Sequence, residues 1–320
     1  MKPSSALACL VLLVGACKPD PVPTEQVQPK AEPETAKVEW SAPITMNAVD
    51  GTLLGVPMME VGVRDKVTRL VVDTASKYNT LTRDFASSVR APMSQTKKVA
   101  RVKGELDEAV TVEGVVPVQF GHNEWRLQNV VAIDTPDRTT AWGIGGLVAP
   151  LQLVRFDNSV VMDFRGNTVY LVSGSQEQFR DWFDAKFGAP MKIEAKTDED
   201  GLIYVETAVS ADDKTPVVAI LDSGSAHSRF TQDLLAVKPS TDECVEGLDP
   251  FAGCVPGRVV SKVPIRLGEQ WFDATDVAAM TLEFGHPRMG AQGALGMDVL
   301  QRCTFAFTAS TDTILAVCDK

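Results

Sequence analysis

Short runs of alternating apolar and polar residues, broken by Gly, Pro, Asn or Asp, fill the chain from about Val38 onward. Side chains on a strand point alternately to two faces, so this period-two pattern predicts half-buried strands. MMEVGVR, TRLVVD, VVPVQFG and LQNVVAID carry it in the first half, and GLIYVETAV, PVVAILD, KVPIRLG and TDVAAMTL in the second. One segment has a helical period instead. In SQEQFRDWFDAKFG, Phe179, Phe183 and Phe187 recur four residues apart and Gly188 stops the run. The chain reads as all-β with few short helices.

The strand pattern also repeats in order. Asp73 after LVV matches Asp222 after AIL, and Val116-Pro117-Val118-Gln119-Phe120-Gly121 matches Val263-Pro264-Ile265-Arg266-Leu267-Gly268. Gly143-Ile144-Gly145-Gly146 is set against Gly293-Ala294-Leu295-Gly296, and each half ends in an expected hairpin, SVVMDFRGNTVYLV and CTFAFTASTDTILAVC. This predicts two pseudo-twofold related β-lobes, residues 39–192 and 193–320, joined near GAPMKIEAKTDEDG. The Phe-rich helix is expected on the outside of the first lobe or at the junction.

Composition places two segments ahead of the lobes. Residues 1–17, MKPSSALACLVLLVGAC, have a lysine, a short apolar stretch and small residues, the pattern of an export signal. Val14-Gly15-Ala16-Cys17 resembles the lipobox of bacterial lipoproteins, which implies lipidation at Cys17; Lys18 after it favours the outer membrane by the same resemblance. Residues 18–38, rich in Pro, Glu and Lys, read as a semi-extended tether. The expected location is the bacterial cell envelope, lipid-anchored and facing the periplasm or the exterior. A net charge of −11 with no basic patch argues against a nucleic-acid partner. Three scattered histidines leave little for a histidine-based metal site, and no metal or other cofactor is expected.

Candidate chemistry sits where the repeat places an acid at the end of an apolar strand: LVVDTAS and AILDSGS. A buried carboxylate is costly unless its charge or proton is used. Two carboxylates brought together share one proton, so one can take a proton from water while the other gives one to a carbonyl oxygen. Thr74 and Ser223 offer short hydroxyls to bridge the two turns. Ser76 and Ser225 can reach the outer carboxylate oxygens, and Gly224 lets backbone N–H groups approach a carboxylate.

With these residues in place, the chain resembles the aspartic peptidases of the pepsin and retropepsin type over most of residues 55–318. GALGMDVL is very like the late element of the retropepsin-like proteins. The resemblance implies a bilobal acid-protease fold with Asp73 and Asp222 as the catalytic pair, Thr74 and Ser223 interlocking, and Ser76 and Ser225 as supports. It also implies an extended peptide or loosened protein in the cleft under one or two hairpin flaps; the protein is expected to be a monomer. Ala75 stands where the family nearly always has glycine, and residues 89–114 hold no flap tyrosine. Those departures motivate the alternative of a catalytically inactive peptide- or protein-binding lipoprotein.

Other residues carry smaller expectations. Pairing Phe307 opposite Ile314 in the last hairpin sets Cys303 across from Cys318, a natural cross-strand bridge; Cys244 and Cys254 would then staple the loop between them, other pairings remaining open. His227 lies five residues beyond Asp222, but nearness in sequence is no sign of a Ser-His-Asp triad. Arg229 and Phe230 read first as strand residues, with a substrate subsite as the alternative.

Overall fold

A computed structural model describes residues 35–46, 55–100, 106–210, 215–237, 244–245, 251, 255–280, 288–310 and 312–319. The first half supplies strands β1 (Lys37–Pro43), β2 (Met58–Val63), β3 (Lys66–Val72) and β4 (Asn79–Thr82), then helix α1 (Arg83–Ser88). There follow β5 (Met93–Ala100), β6 (Leu106–Val112), β7 (Val116–Phe120), β8 (Asn123–Leu127) and β9 (Val130–Ile133). Helix α2 (Asp137–Ala141), β10 (Ile144–Val148), β11 (Asn158–Asp163), β12 (Thr168–Ser173) and α3 (Gln176–Phe187) complete it. The second half supplies β13 (Met191–Thr197), β14 (Ile203–Ala208), β15 (Val217–Leu221), β16 (Arg229–Thr231), β17 (Cys244–Val245) and β18 (Val255–Val260). The chain ends with β19 (Val263–Leu267), β20 (Gln270–Ala274), β21 (Val277–Met280), β22 (Gly293–Leu295), α4 (Met297–Leu300), β23 (Cys303–Phe307) and β24 (Thr313–Cys318). Among the described residues strand pairing thus begins at Lys37, inside the segment read from composition as tether.

Among the described residues this is a largely β fold of two sheets with few short helices. A nine-stranded sheet runs β5-β6-β9-β4-β10-β3-β2-β7-β8. A fifteen-stranded sheet takes the second-half strands together with β1, β11 and β12. The pairings repeat between the halves. β3 pairs parallel with β10, which pairs antiparallel with β4, which pairs parallel with β9. β15 pairs parallel with β22, β22 antiparallel with β16, and β16 parallel with β21.

These central strands explain the long apolar runs. Leu70, Val71 and Val72 are at most 1% exposed, and Ala219 and Leu221 are similarly buried. A strand covered on both faces has no polar side to present, so alternation gives way to continuous apolar sequence.

The pairing register corrects one match made from sequence. Gly146, Leu147 and Val148 lie opposite Leu70, Val71 and Val72, as Gly293, Ala294 and Leu295 lie opposite Ala219, Ile220 and Leu221. The first-half counterpart of Gly293-Ala294-Leu295-Gly296 is therefore Gly146-Leu147-Val148-Ala149, three residues beyond the glycines matched by sequence. Ala149, fully buried, stands where the second half has Gly296.

The terminal hairpins of the two halves pair with each other. β11 lies antiparallel to β23, with Val160 opposite Phe307 and Asp163 opposite Thr304, and the Thr304 hydroxyl donates to Asp163 at 2.6 Å. Helix α3 closes one face of this sheet. Ser175 and Gln178 form a reciprocal capping box at its start, and Phe179 and Phe183 bury against Val161, Val172 and Ala306. In the last hairpin Cys303 lies opposite Cys318 and the two form a disulfide. Cys17, Cys254 and the side chain of Cys244 fall outside the described residues. No helix among the described residues is long and apolar enough to cross a membrane.

Candidate functional site

Each candidate aspartate caps a central strand and is tied to the adjacent one. Asp73 N–H donates to Val148 O, and Asp222 N–H donates to Leu295 O, both at 2.9 Å. After each acid the chain turns back, and the two turns interlock. Thr74 N–H donates to Ser223 Oγ at 3.0 Å, and Ser223 N–H donates to Thr74 Oγ1 at 3.0 Å. The same hydroxyls donate across the halves, Thr74 to Leu221 O at 2.8 Å and Ser223 to Val72 O at 2.7 Å. Both side chains are at most 3% exposed, so every one of these groups would be unsatisfied without its partner. The expected bridging by Thr74 and Ser223 is present as four bonds.

Further bonds make the two turns alike. Ser76 Oγ donates to Tyr78 O at 2.7 Å and Ser225 Oγ to His227 O at 2.9 Å, so each hydroxyl braces its own turn. Ala149 N–H donates to Asn79 Oδ1 at 2.9 Å, and Gly296 N–H donates to Ser228 Oγ at 3.0 Å. A β-carbon on Gly296 would lie 2.4 Å from the His227 carbonyl carbon. His227 belongs to this packing, and its carbonyl rather than its ring closes the turn.

The carboxyl groups are less symmetric than the backbones. Asp73 Oδ1 accepts the N–H of Ala75 at 2.7 Å, and its carboxyl lies against the α-carbon of Gly224. Asp222, 5% exposed, is paired with the guanidinium of Arg229, itself 4% exposed. Residue 75 holds the place in the first turn that Gly224 holds in the second; it is alanine, and it packs against the cluster of Tyr204, Ile220 and Ala294. The pattern around Arg229 predicts chiefly a strand residue, and Arg229 does open strand β16. Its place seven residues past Asp222, on the strand returning beside the acid, brings it back to the carboxylate. The available signal was the lone full charge in the stretch from Ser223 to Phe230.

Beneath the second turn lies a buried acid of a different kind. Asp298 Oδ1 accepts from Ser228 N–H at 2.8 Å and Ser228 Oγ at 2.7 Å. Burial pushes its pKa up to about 6, against the opposing effects of the Ser228 bonds, the nearby His227 and the Val299 N–H. On the outside, Lys77 pairs with Asp200 of the second half. A cavity of about 270 Å³ lined by residues including Leu151, Val154, Phe307 and Ile314 has neither candidate aspartate in its wall. Among the described residues no three His, Cys, Asp or Glu side chains cluster as metal ligands.

No protein-family model matches the sequence, and no curated protein matches it. The fold is similar to the crystal structure of the aspartic proteinase from Irpex lacteus, with a TM-score of 0.51 and 12% identity. The match covers 89% of this chain and 98% of that one. At this identity the likeness speaks to the fold.

Proposed function

We propose that this protein is a bilobal aspartic endopeptidase of the pepsin/retropepsin-like type, cleaving extended peptides in a cleft between residues 39–192 and 193–320. The observation that carries the reading is the reciprocal bonding of Thr74 and Ser223, with 3.0 Å between each hydroxyl and the opposite N–H. It cross-links two equivalent turns whose first residues are Asp73 and Asp222. In this mechanism one carboxylate takes a proton from a water molecule as its oxygen attacks the peptide carbonyl carbon. The other carboxyl group gives its proton to the carbonyl oxygen, forming a neutral diol. Collapse of the diol breaks the C–N bond, and the amine leaves with a proton returned from the pair. Thr74, Ser223, Ser76, Ser225 and Gly224 hold the turns.

A second reading, a non-catalytic peptide- or protein-binding module, is favoured by two features: the Arg229 guanidinium on Asp222 and the methyl of Ala75. The two readings separate in one assay. The full-length protein and its D73N variant are incubated with a mixed peptide library from acid to neutral pH. Cleavage by the wild type that D73N lacks supports the peptidase; binding without cleavage at any pH supports the binding module.

The export-like segment ending at Cys17, with Lys18 after it, supports attachment to the outer membrane through an N-terminal lipid. Fatty-acid label that survives replacement of Cys17 would contradict this.

A further inference from the structure

We propose that Arg229 is a specificity-determining residue that takes a carboxylate of the peptide substrate, and that this exchange releases Asp222 for catalysis. The inference rests on reading the site as a peptide cleft. It starts from an unequal pair of positions. Arg229 lies opposite Ala294 as Thr80 lies opposite Leu147, so the two residues are equivalents in the repeat. Thr80 fills its place with a short neutral side chain, 6% exposed. The fold therefore has no need of a cation at this position, yet the second half buries one beside a candidate catalytic acid.

The guanidinium is also incompletely satisfied. One terminal nitrogen, Nη2, pairs with Asp222 Oδ2; the other, Nη1, is 3.5 Å from Ser225 Oγ, the outer limit of a hydrogen bond. Its Nε–H is buried and has no hydrogen-bond partner among the described residues. A guanidinium presents five donors in a fixed fork suited to two carboxylate oxygens, and burying it with its Nε–H unused is costly. A second carboxylate can engage the unused donors.

In a peptide that group is an Asp or Glu side chain near the scissile bond or the free C-terminus. Once it is bound, Arg229 is shared between two carboxylates, and the Asp222 oxygen is available to a water or a carbonyl. Acidic substrates would then be both selected and required.

The test uses the full-length protein with three peptide libraries of matched length. One carries a single internal Asp or Glu and an amidated C-terminus. The second has Asn or Gln in its place, also amidated. The third is the second with a free C-terminal carboxylate. Binding by fluorescence anisotropy and cleavage are both measured for wild type, R229Q and R229K. Wild type is expected to bind at least one carboxylate library ~10-fold or more tightly than the neutral one, with kcat/KM following. R229Q should reduce that ratio to about one, and R229K, which keeps the charge but loses the fork, should hold an intermediate ratio. Preference for the first library identifies a side-chain carboxylate, and for the third the C-terminus. Equal binding of all three libraries by wild type, or a preference unchanged in R229Q and R229K, overturns the proposal even where peptides are cleaved. Preference that depends on Arg229 without any cleavage upholds Arg229 as the carboxylate site and overturns both the release of Asp222 for catalysis and the peptidase reading.

Discussion

Gly224 stands so close to Asp73 that a β-carbon built on it falls 2.6 Å from the carboxyl carbon of that aspartate. The contact joins residues from opposite halves of the chain and leaves no room for a methyl group. G224A is therefore expected to displace the Asp73 carboxyl while leaving the buried strands intact. A displacement of about 1 Å at a catalytic group can cost ~100-fold in rate. Peptide cleavage by a G224A protein with an unchanged circular-dichroism spectrum measures it; wild-type kcat/KM would show that the close contact has no catalytic consequence.

The mirror-image change makes the opposite prediction. Ala75 carries, at the equivalent place in the first turn, the methyl that Gly224 lacks, and A75G makes the two turns alike. Activity should rise in A75G, read as kcat/KM on the same peptides. An unchanged or lower rate in folded protein would show that the methyl is no hindrance.

The interlocked hydroxyls predict a stability effect. In T74A the Ser223 N–H and the Leu221 carbonyl lose their buried partner at once. Unsatisfied buried groups cost about 1–3 kcal/mol each, so urea denaturation should show a loss of ~2–6 kcal/mol. A loss below about 0.5 kcal/mol would mean that water replaces the hydroxyl and the turns are held by other means.

Asp298 predicts a pH dependence. Its folded pKa of about 6 lies above the ordinary value of 3.8, so the folded protein binds this proton more tightly than the unfolded chain. An acid of that kind leaves stability undiminished below the unfolded value and lowers it as pH rises through the folded one. The loss from about pH 4 to pH 7 is of order 3 kcal/mol for this group. D298N removes the titration. The difference in stability between wild type and D298N should therefore fall steeply over that window, and a constant difference would contradict the assignment.

Much of this architecture is legible before any coordinates. Alternation places the strands, the four-residue spacing of phenylalanines places α3, and the doubled aspartate turn places the interlocked hydroxyls. Three features escaped for physical reasons. Glycines drew the match to Gly143–Gly146, whereas strand register is decided by which residues lie opposite Leu70 to Val72, and the true counterpart ends in Ala149. The terminal hairpins show their own alternation but not which strand pairs with their outer edge, so the β11–β23 pairing is invisible in either segment alone. Arg229 reaches Asp222 only after the chain has turned back on itself, a distance that sequence spacing does not report.

The central claim is that Asp73 and Asp222 act as one unit on a single water. The most direct measurement is cleavage by D73N, by D222N and by the double variant, each shown to be folded. Both single variants should lose ~10²–10⁴-fold in kcat/KM, and the double variant should lose no more than the worse of the two, because removing either acid already disables the unit. A single variant that retains wild-type cleavage, or losses that multiply in the double variant, would contradict a shared catalytic pair.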